Sequence, residues 1–438
     1  MLHSISRFFV KLVQRYLPDA YLFAILLTFA AFLMAWSLTG KPFMALIKMW
    51  GDGLWGILAF AMQMILILVT GHCLASSRPV KTLLSSLASL PKNTSQAVML
   101  TSFVSGLAYY LNWGFGLIVA AFFAREMARK VKNMDYGLVV AAGYSAYVCW
   151  HGGISGSIPL SLATKGHVVE KLTGIIPVSQ TIFTYWNLII VWTLILTVPL
   201  LMKLMVPHPD EVRVADPEAL VDPEEITPPA KHTPATWLEN SMVVNMIFGL
   251  MGVAYIFNFF ATNGFNLTLN IVIFIFFIAG VLFHMTPINY VRAMNEAIKG
   301  AGGIALQFPL YGGIQGIMVS SGLAVMIANW FISFSTPATF PLFTFLAGGV
   351  INMFIPSGGG QWVVQGPINI PAGIALGVDP AKVAMSIAYG DMWTNMIQPF
   401  WALPLLGIAK LGVRDIMGYC TITLIWSGIV ISLGLLIL

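Results

Sequence analysis

Asp391 stands in AYGDMWTNM, inside an otherwise apolar stretch, where a carboxylate costs about 2.5–3.5 kcal/mol at the centre of a membrane helix. Groups that persist at such a cost carry protons, bind cations, or sit protonated against a neighbouring helix. His151, in WHGGISGSIP, is a second titratable side chain in a comparable setting, with hydrogen-bonded packing as its competing reading. Four short stretches hold most of the remaining polar groups: NWGFG (Asn112 to Gly116), WHGGISGSIP (Trp150 to Pro159), PSGGGQW (Pro356 to Trp362) and TNMIQPFWALP (Thr394 to Pro404). They supply the candidate substrate-binding residues Asn112, Trp113, Gly114, Ser155, Ser157, Ser357, Gly358, Gly359, Gln361 and Asn395. Asp391, Thr394, Asn112, Ser357 and His151 are the candidates for ion coupling by H⁺ or Na⁺, and a Na⁺ site at the tips stays unassigned. The chemistry is that of a binding site: N–H and O–H donors for an anion, oxygens for a cation. Trp113, Phe115, Trp362, Trp393, Phe400 and Trp401 would wall an apolar pocket beside it, or pack and anchor at interfaces.

Covalent chemistry fits less well. Gly153-Ile154-Ser155-Gly156 matches the short G-x-S-G of intramembrane serine proteases, with His284 as an imaginable base. Four residues are a weak match in a chain with 40 glycines, so no catalytic residue is assigned. The cysteines Cys73, Cys149 and Cys420 are too far apart for a disulfide framework or a zinc spacing.

The elements that must position these residues are membrane helices. Of 438 residues 58% are hydrophobic and 9% charged, and the mean hydropathy is +0.84, whereas a soluble domain carries charge at about 25%. Runs of roughly 20 apolar residues cross a hydrocarbon core as helices, and no alternating ten-residue strands of a barrel occur. The net charge of +5 is scattered at segment ends, which excludes a nucleic-acid face and points to topology signals.

Apolar windows place spans near residues 19–38, 54–75, 136–162, 181–205, 241–261, 267–286, 302–328, 383–410 and 416–438. Two further stretches, 96–124 and 338–377, are interrupted at their middles and read as re-entrant helical hairpins. Spans 136–162 and 383–410 read as broken helices. Residues 1–18, with Arg7, Lys11 and Arg15 on one face and Ile5, Phe8, Leu12 and Tyr16 on another, form an interfacial amphipathic helix rather than a cleaved signal peptide. Residues 207–239 are an acidic, proline-rich linker between a first repeat (19–206) and a second half (240–438). Starting with the N-terminus inside puts 17 of the 22 lysines and arginines at inner ends, the bias of cytoplasmic loops. The linker is then cytoplasmic and the C-terminus periplasmic.

A shift of 245 positions sets Asn112 on Ser357, Gly114 on Gly359, Tyr144 on Tyr389 and Pro159 on Pro404. The first copy starts inside and the second outside, so the repeat is inverted, as in many secondary transporters. Non-helical chain survives at membrane depth only where protein encloses it or it lines a wet cavity. Paired breaks in inverted repeats therefore suit a midplane site and alternating access; glycine-mediated helix packing and a passive channel are the competing readings.

Several long motifs carry a resemblance: KMWGDGLW (48–55), VTGHCLASS (69–77), NWGFGLIVAAFFARE (112–126), PSGGGQWVVQGP (356–367), AYGDMWTNMIQPFWALPLLGIA (388–409) and GVRDIMGY (412–419). Over nearly its whole length the chain resembles the short-chain fatty acid transporters, bacterial inner-membrane permeases of the acetoacetate and butyrate type. That family is similar to a wider ion-transporter superfamily of dimers with a scaffold domain and a moving transport domain. The resemblance implies a homodimer in the inner membrane, an elevator mechanism, a small carboxylate substrate and no nucleic-acid partner. The expected protein is an all-α polytopic membrane transporter, not an enzyme.

Overall fold

A computed structural model describes residues 20–56, 58–220, 233–264, 269–356 and 358–438. Residues 1–18, Ser357 and residues 221–232 of the linker lie outside the described residues. All regular elements among the described residues are helical. The main helices are α1 (Ala20–Thr39), α2 (Phe43–Gly53), α3 (Leu58–Ser76), α4 (Arg78–Ala88), α5 (Thr94–Leu111), α6 (Trp113–Lys130), α7 (Tyr136–Ser145), α8 (Ser157–Leu162), α9 (Tyr185–Lys203) and α10 (Met242–Asn263). They continue as α11 (Leu269–His284), α12 (Pro287–Lys299), α13 (Gly302–Ser320), α14 (Leu323–Ile332), α15 (Phe340–Asn352), α16 (Gly358–Ala375), α17 (Pro380–Thr394), α18 (Leu403–Ala409) and α19 (Val413–Ile437).

Helices α9, α10 and α19 are each long and apolar enough to cross a membrane, and α1, α3, α11 and α15 contain shorter apolar runs. Packing separates them by position. Of its most apolar window α9 buries 56% and α10 only 17%, so α9 is central and α10 peripheral. Helix α10 turns Ile247, Leu250, Met251 and Phe257 outward and holds α11 through Asn245 Nδ2, which donates to the Val281 carbonyl at 2.6 Å.

The interior packs α5 against α6, α7 and α9, and α15 against α17, while α19 lies across α7 and α9. The paired helices fall on the shift of 245. Trp113 and Gly358 open α6 and α16, and Lys130 and Ala375 close them. The two interrupted spans also occupy matching positions. After α7 the chain runs as a 3₁₀ helix, Ala146–Gly152, to α8; after α17 it reaches α18 through a 3₁₀ helix, Pro399–Ala402.

Two expectations of the span assignment need correction. The stretch 302–328 is not one helix, because Gly322 at φ +85° ends α13 and starts α14, a left-handed conformation open to glycine. Before the span expected at 54–75, a separate helix, α2, crosses α13 closely: a Cβ at Gly316 would overlap the Met49 carbonyl and the Gly53 backbone. The amphipathic α4 and α12 fall in segments to which the hydropathy windows gave no structure.

Candidate functional site

Asn112 ends one helix and starts the next. Its backbone is extended (φ −157°, ψ 126°), its N–H donates to Ala108 in the last turn of α5, and its side-chain oxygen accepts the Phe115 N–H at 2.9 Å. This is an N-cap, which satisfies one of the orphan donors of a new helix. The neighbouring Trp113 N–H donates to Ser155 Oγ at 2.9 Å. The first tip is thus bracketed by its own asparagine and by a serine from the first break.

That break has its own geometry. In a 3₁₀ helix residues three apart eclipse, and here the eclipsed pair Tyr147 and Trp150 is aromatic. Tyr144 stacks on Tyr147 (5.8 Å, 14°) and Tyr147 on Trp150 (5.6 Å, 19°), and Trp150 stacks on His151 (4.1 Å, 15°). Gly153 follows against the backbone of Tyr110, whose carbonyl a Cβ would meet, and Ile154 N–H donates to that carbonyl at 2.8 Å.

The stack delivers His151 to Asp391. Its Nδ1 lies 2.9 Å from Asp391 Oδ2, and both side chains are fully buried. Its Nε2 lies 3.1 Å from the Ile158 N–H and 3.1 Å from Ser157 Oγ. A backbone N–H only donates, so Nε2 is the acceptor and the ring proton sits on Nδ1, directed at the carboxylate. The histidine therefore caps α8 with one nitrogen and holds Asp391 with the other. Ser157, His151 and Asp391 line up as in a hydrolase triad, but Nε2 already accepts from the α8 backbone. The Ser155 and His284 pairing imagined from sequence does not form: Ser155 accepts from Trp113, and His284 Nε2 contacts the Cys73 carbonyl at 2.6 Å.

Around the second break, Asn352 gathers three groups. Its Nδ2 lies 2.8 Å from the Asp391 carbonyl, 2.9 Å from Thr394 Oγ1 and 2.9 Å from Asn395 Oδ1. Trp401 then joins both tips. Its indole N–H donates to the Pro356 carbonyl at 3.1 Å, and its ring meets Trp113 edge-on at 5.0 Å. Gly358, the first residue of α16, sits where a Cβ would overlap Ser157 Oγ and His151 Cε1. The α5–α6 junction, the start of α16 and both breaks consequently meet at one buried focus.

Not every sequence candidate faces it. Gly114 lies against Ile67 of α3, so its missing Cβ serves helix packing there. Gln361 donates to the Gly348 carbonyl and to Gln365 Oε1 within its own helix pair. Ser357 lies outside the described residues. Asn352 was missed; its only sequence signal is an amide in an apolar run just ahead of the tip. Also missed was Asn187, which accepts from Tyr389 OH at 2.6 Å and donates to the Gly152 carbonyl at 2.9 Å.

Within the cluster of Asn352, Asp391 and Asn395, three atoms are buried without a protein partner: Asp391 Oδ1, Asn352 Oδ1 and Asn395 Nδ2. Two are hard oxygen acceptors suited to a proton or a small cation, and one is a donor suited to an anion. Among the described residues no group of three His, Cys, Asp or Glu side chains gathers as a metal centre.

Across residues 1–438 the chain matches the family described as "Short chain fatty acid transporter". The chain belongs to this family. Two curated relatives carry the name "Putative short-chain fatty acid transporter". The one from Escherichia coli is 48% identical over 437 residues, covering 99% of each chain. The one from Haemophilus influenzae is 44% identical over 444 residues, again with 99% of each chain covered. Among solved structures, the Alcanivorax borkumensis YdaH transporter is similar at 15% identity and TM-score 0.48, covering 96% of this chain and 97% of that one. Neisseria gonorrhoeae MtrF is similar at 15% identity and TM-score 0.42, with 97% of each chain covered. The protein is a transporter and not an enzyme.

Proposed function

We propose that this transporter carries short-chain fatty acid anions of the acetoacetate or butyrate type across the bacterial inner membrane by secondary active transport, coupled to H⁺ or Na⁺. In this reading the pairs α5–α6 and α15–α16 are re-entrant hairpins of an inverted repeat. With α7–α8 and α17–α18 they form the moving part of an elevator in a homodimer, whose N-terminus and linker face the cytoplasm and whose C-terminus faces the periplasm. The observation that carries the proposal is the convergence of both tips and both breaks on the His151–Asp391 pair. Family membership supports the substrate class. A short acyl carboxylate suits the inventory: Asn395 Nδ2 and serine hydroxyls for the head, Trp113 and Trp401 for two or three methylenes. Asp391 couples the ion through its unpartnered Oδ1.

Reconstituted protein should accumulate labelled butyrate and acetoacetate under an imposed proton or sodium gradient, beyond the diffusive uptake of protein-free vesicles. Absence of accumulation for both acids under both gradients overturns the proposal. Trans-stimulated counterflow separates carrier from channel, since an open pore shows none.

A further inference from the structure

Serines and threonines on many helices of this protein satisfy their hydroxyls one turn back, as is usual in apolar helices. Thr28 donates to the Ala24 carbonyl at 2.9 Å, Thr70 to Leu66 at 2.8 Å, Thr197 to Thr193 at 2.6 Å, and Ser427 to Thr423 at 2.7 Å. Helix α5 behaves differently. The hydroxyls of Thr101, Ser102 and Ser105 are buried and have no hydrogen-bond partner. Tyr109 OH on the same helix is in the same condition, as are Tyr147 OH and Trp150 Nε1 across the seam.

Thr101, Ser105 and Tyr109 are four residues apart in turn and share one face, with Ser102 beside them. That face is turned toward the aromatic stack, since the Tyr109 and Tyr147 rings meet edge-on at 5.1 Å. An unpaired buried hydroxyl is costly, and six such polar atoms in one seam would together rival the stability of an ordinary domain. Buried waters normally satisfy such groups. The stripe from Thr101 to Tyr109 rises about 12 Å along the helix. Its lower end lies little more than one turn from Gln96, which is exposed. Its upper end reaches Tyr147, which stacks on Trp150; Trp150 stacks in turn on His151, whose Nδ1 lies 2.9 Å from Asp391 Oδ2. The other titratable groups of the seam are occupied: Tyr144 OH donates to the Asn395 carbonyl, and Cys149 Sγ contacts the Gly106 and Ala146 carbonyls.

We propose that the seam between α5 and residues 144–151 binds a file of water molecules that conducts protons between the Thr101 end and Asp391, which makes H⁺ the coupling ion. This rests on the reading of Asp391 as the coupling group. A proton enters from water at the Thr101 end, each hydroxyl and water accepts one proton and releases another, and the last proton adds to the Asp391 carboxylate at Oδ1. No redox partner is needed. Loss of the proton from Oδ1 to water on the opposite side of the membrane restores the carboxylate.

The test uses full-length protein in vesicles with a trapped pH dye. Thr101→Val combined with Ser105→Ala should reduce butyrate-driven proton influx and pH-driven accumulation at least fivefold. Counterflow at equal pH, which needs no net proton movement, should stay within twofold. Thr101→Ser and Ser105→Thr keep the hydroxyls and should keep proton influx. The water file is overturned if the Val/Ala variant accumulates substrate like the wild type, if accumulation and counterflow fall together, or if sodium alone drives the wild type. Wild-type protein that accumulates nothing under either gradient overturns the transport reading as well.

Discussion

The imidazole of His151 donates from Nδ1 to Asp391 at 2.9 Å across a sequence separation of 240 residues. It joins the first break to the helix that leads into the second. Two tyrosines related by the shift of 245 reinforce the same junction from opposite sides. Tyr144 OH donates to the Asn395 carbonyl in the second break at 2.9 Å, and Tyr389 OH reaches the Gly152 carbonyl in the first through Asn187. Each half of the chain thereby helps to hold the interrupted span of the other.

Removing the two members of the central pair should have different consequences. Asp391→Asn keeps an oxygen for the His151 proton and loses only the charge, so the protein should fold and counterflow should stay within about threefold. Gradient-driven accumulation should fall more than tenfold. His151→Ala leaves Asp391 without its donor and Ile158 N–H without its acceptor, a loss of about 3–5 kcal/mol for breaking a buried pair. Unfolding midpoints in detergent, set beside uptake, check both; wild-type coupled uptake by Asp391→Asn removes Asp391 from the mechanism.

The parts legible in the sequence are those governed by local rules. Asn112 was readable as a helix boundary because asparagine caps helices, and the glycines after Pro356 marked the second boundary. The shift of 245 anticipated the shared starts and ends of α6 and α16. The contact between His151 and Asp391 was not legible, since neither neighbourhood carries a signal for a partner so far along the chain. The packing role of Gly114 was hidden for a related reason: a glycine at a helix start looks like ligand access, and only the position of Ile67 reveals the helix contact. The aromatic stack escaped because its spacing of three depends on a 3₁₀ turn that hydropathy does not encode.

Loss of one crossed hydroxyl should weaken the junction modestly. Tyr144→Phe leaves the Asn395 carbonyl without that donor, and Tyr389→Phe leaves Asn187 Oδ1 without one. Each buried loss costs about 1–3 kcal/mol. The unfolding midpoint should fall in each variant. If the two tyrosines brace one junction, the double variant should deviate from additivity by about 0.5 kcal/mol or more; strict additivity makes the braces independent.

Asp135 offers a pH dependence at the entry to α7. Its Oδ1 accepts the Leu138 N–H at 2.7 Å and its Oδ2 the Arg213 N–H at 3.1 Å, yet burial raises its carboxyl above the ordinary value against those bonds. A raised carboxyl pKa means the folded protein holds its proton more tightly than the unfolded chain. This contribution to stability is therefore greatest below the unfolded pKa and is lost as pH rises through the folded one. Asp135→Asn should flatten that part of the stability profile, as followed by unfolding midpoints measured upward from the ordinary aspartate pKa of about 3.9. An unchanged slope assigns it to other groups.

Gly358 tests whether the second tip must touch the first break. A Cβ there would overlap Ser157 Oγ and His151 Cε1. The serine can rotate, but the imidazole is held by Asp391 and by Ile158 N–H, so the tip itself must withdraw. Gly358→Ala should lower uptake at least tenfold, chiefly through a higher KM. Gly407, in α18, is a matched control, because its added Cβ meets nothing within 4 Å; Gly407→Ala should stay within twofold of wild type. Pairing Gly358→Ala with Ser157→Ala removes one of the two clashes and should restore part of the affinity if contact at this point governs binding. If Gly358→Ala transports normally, the tip does not close on His151 during the cycle, and the focus described here is a packing centre.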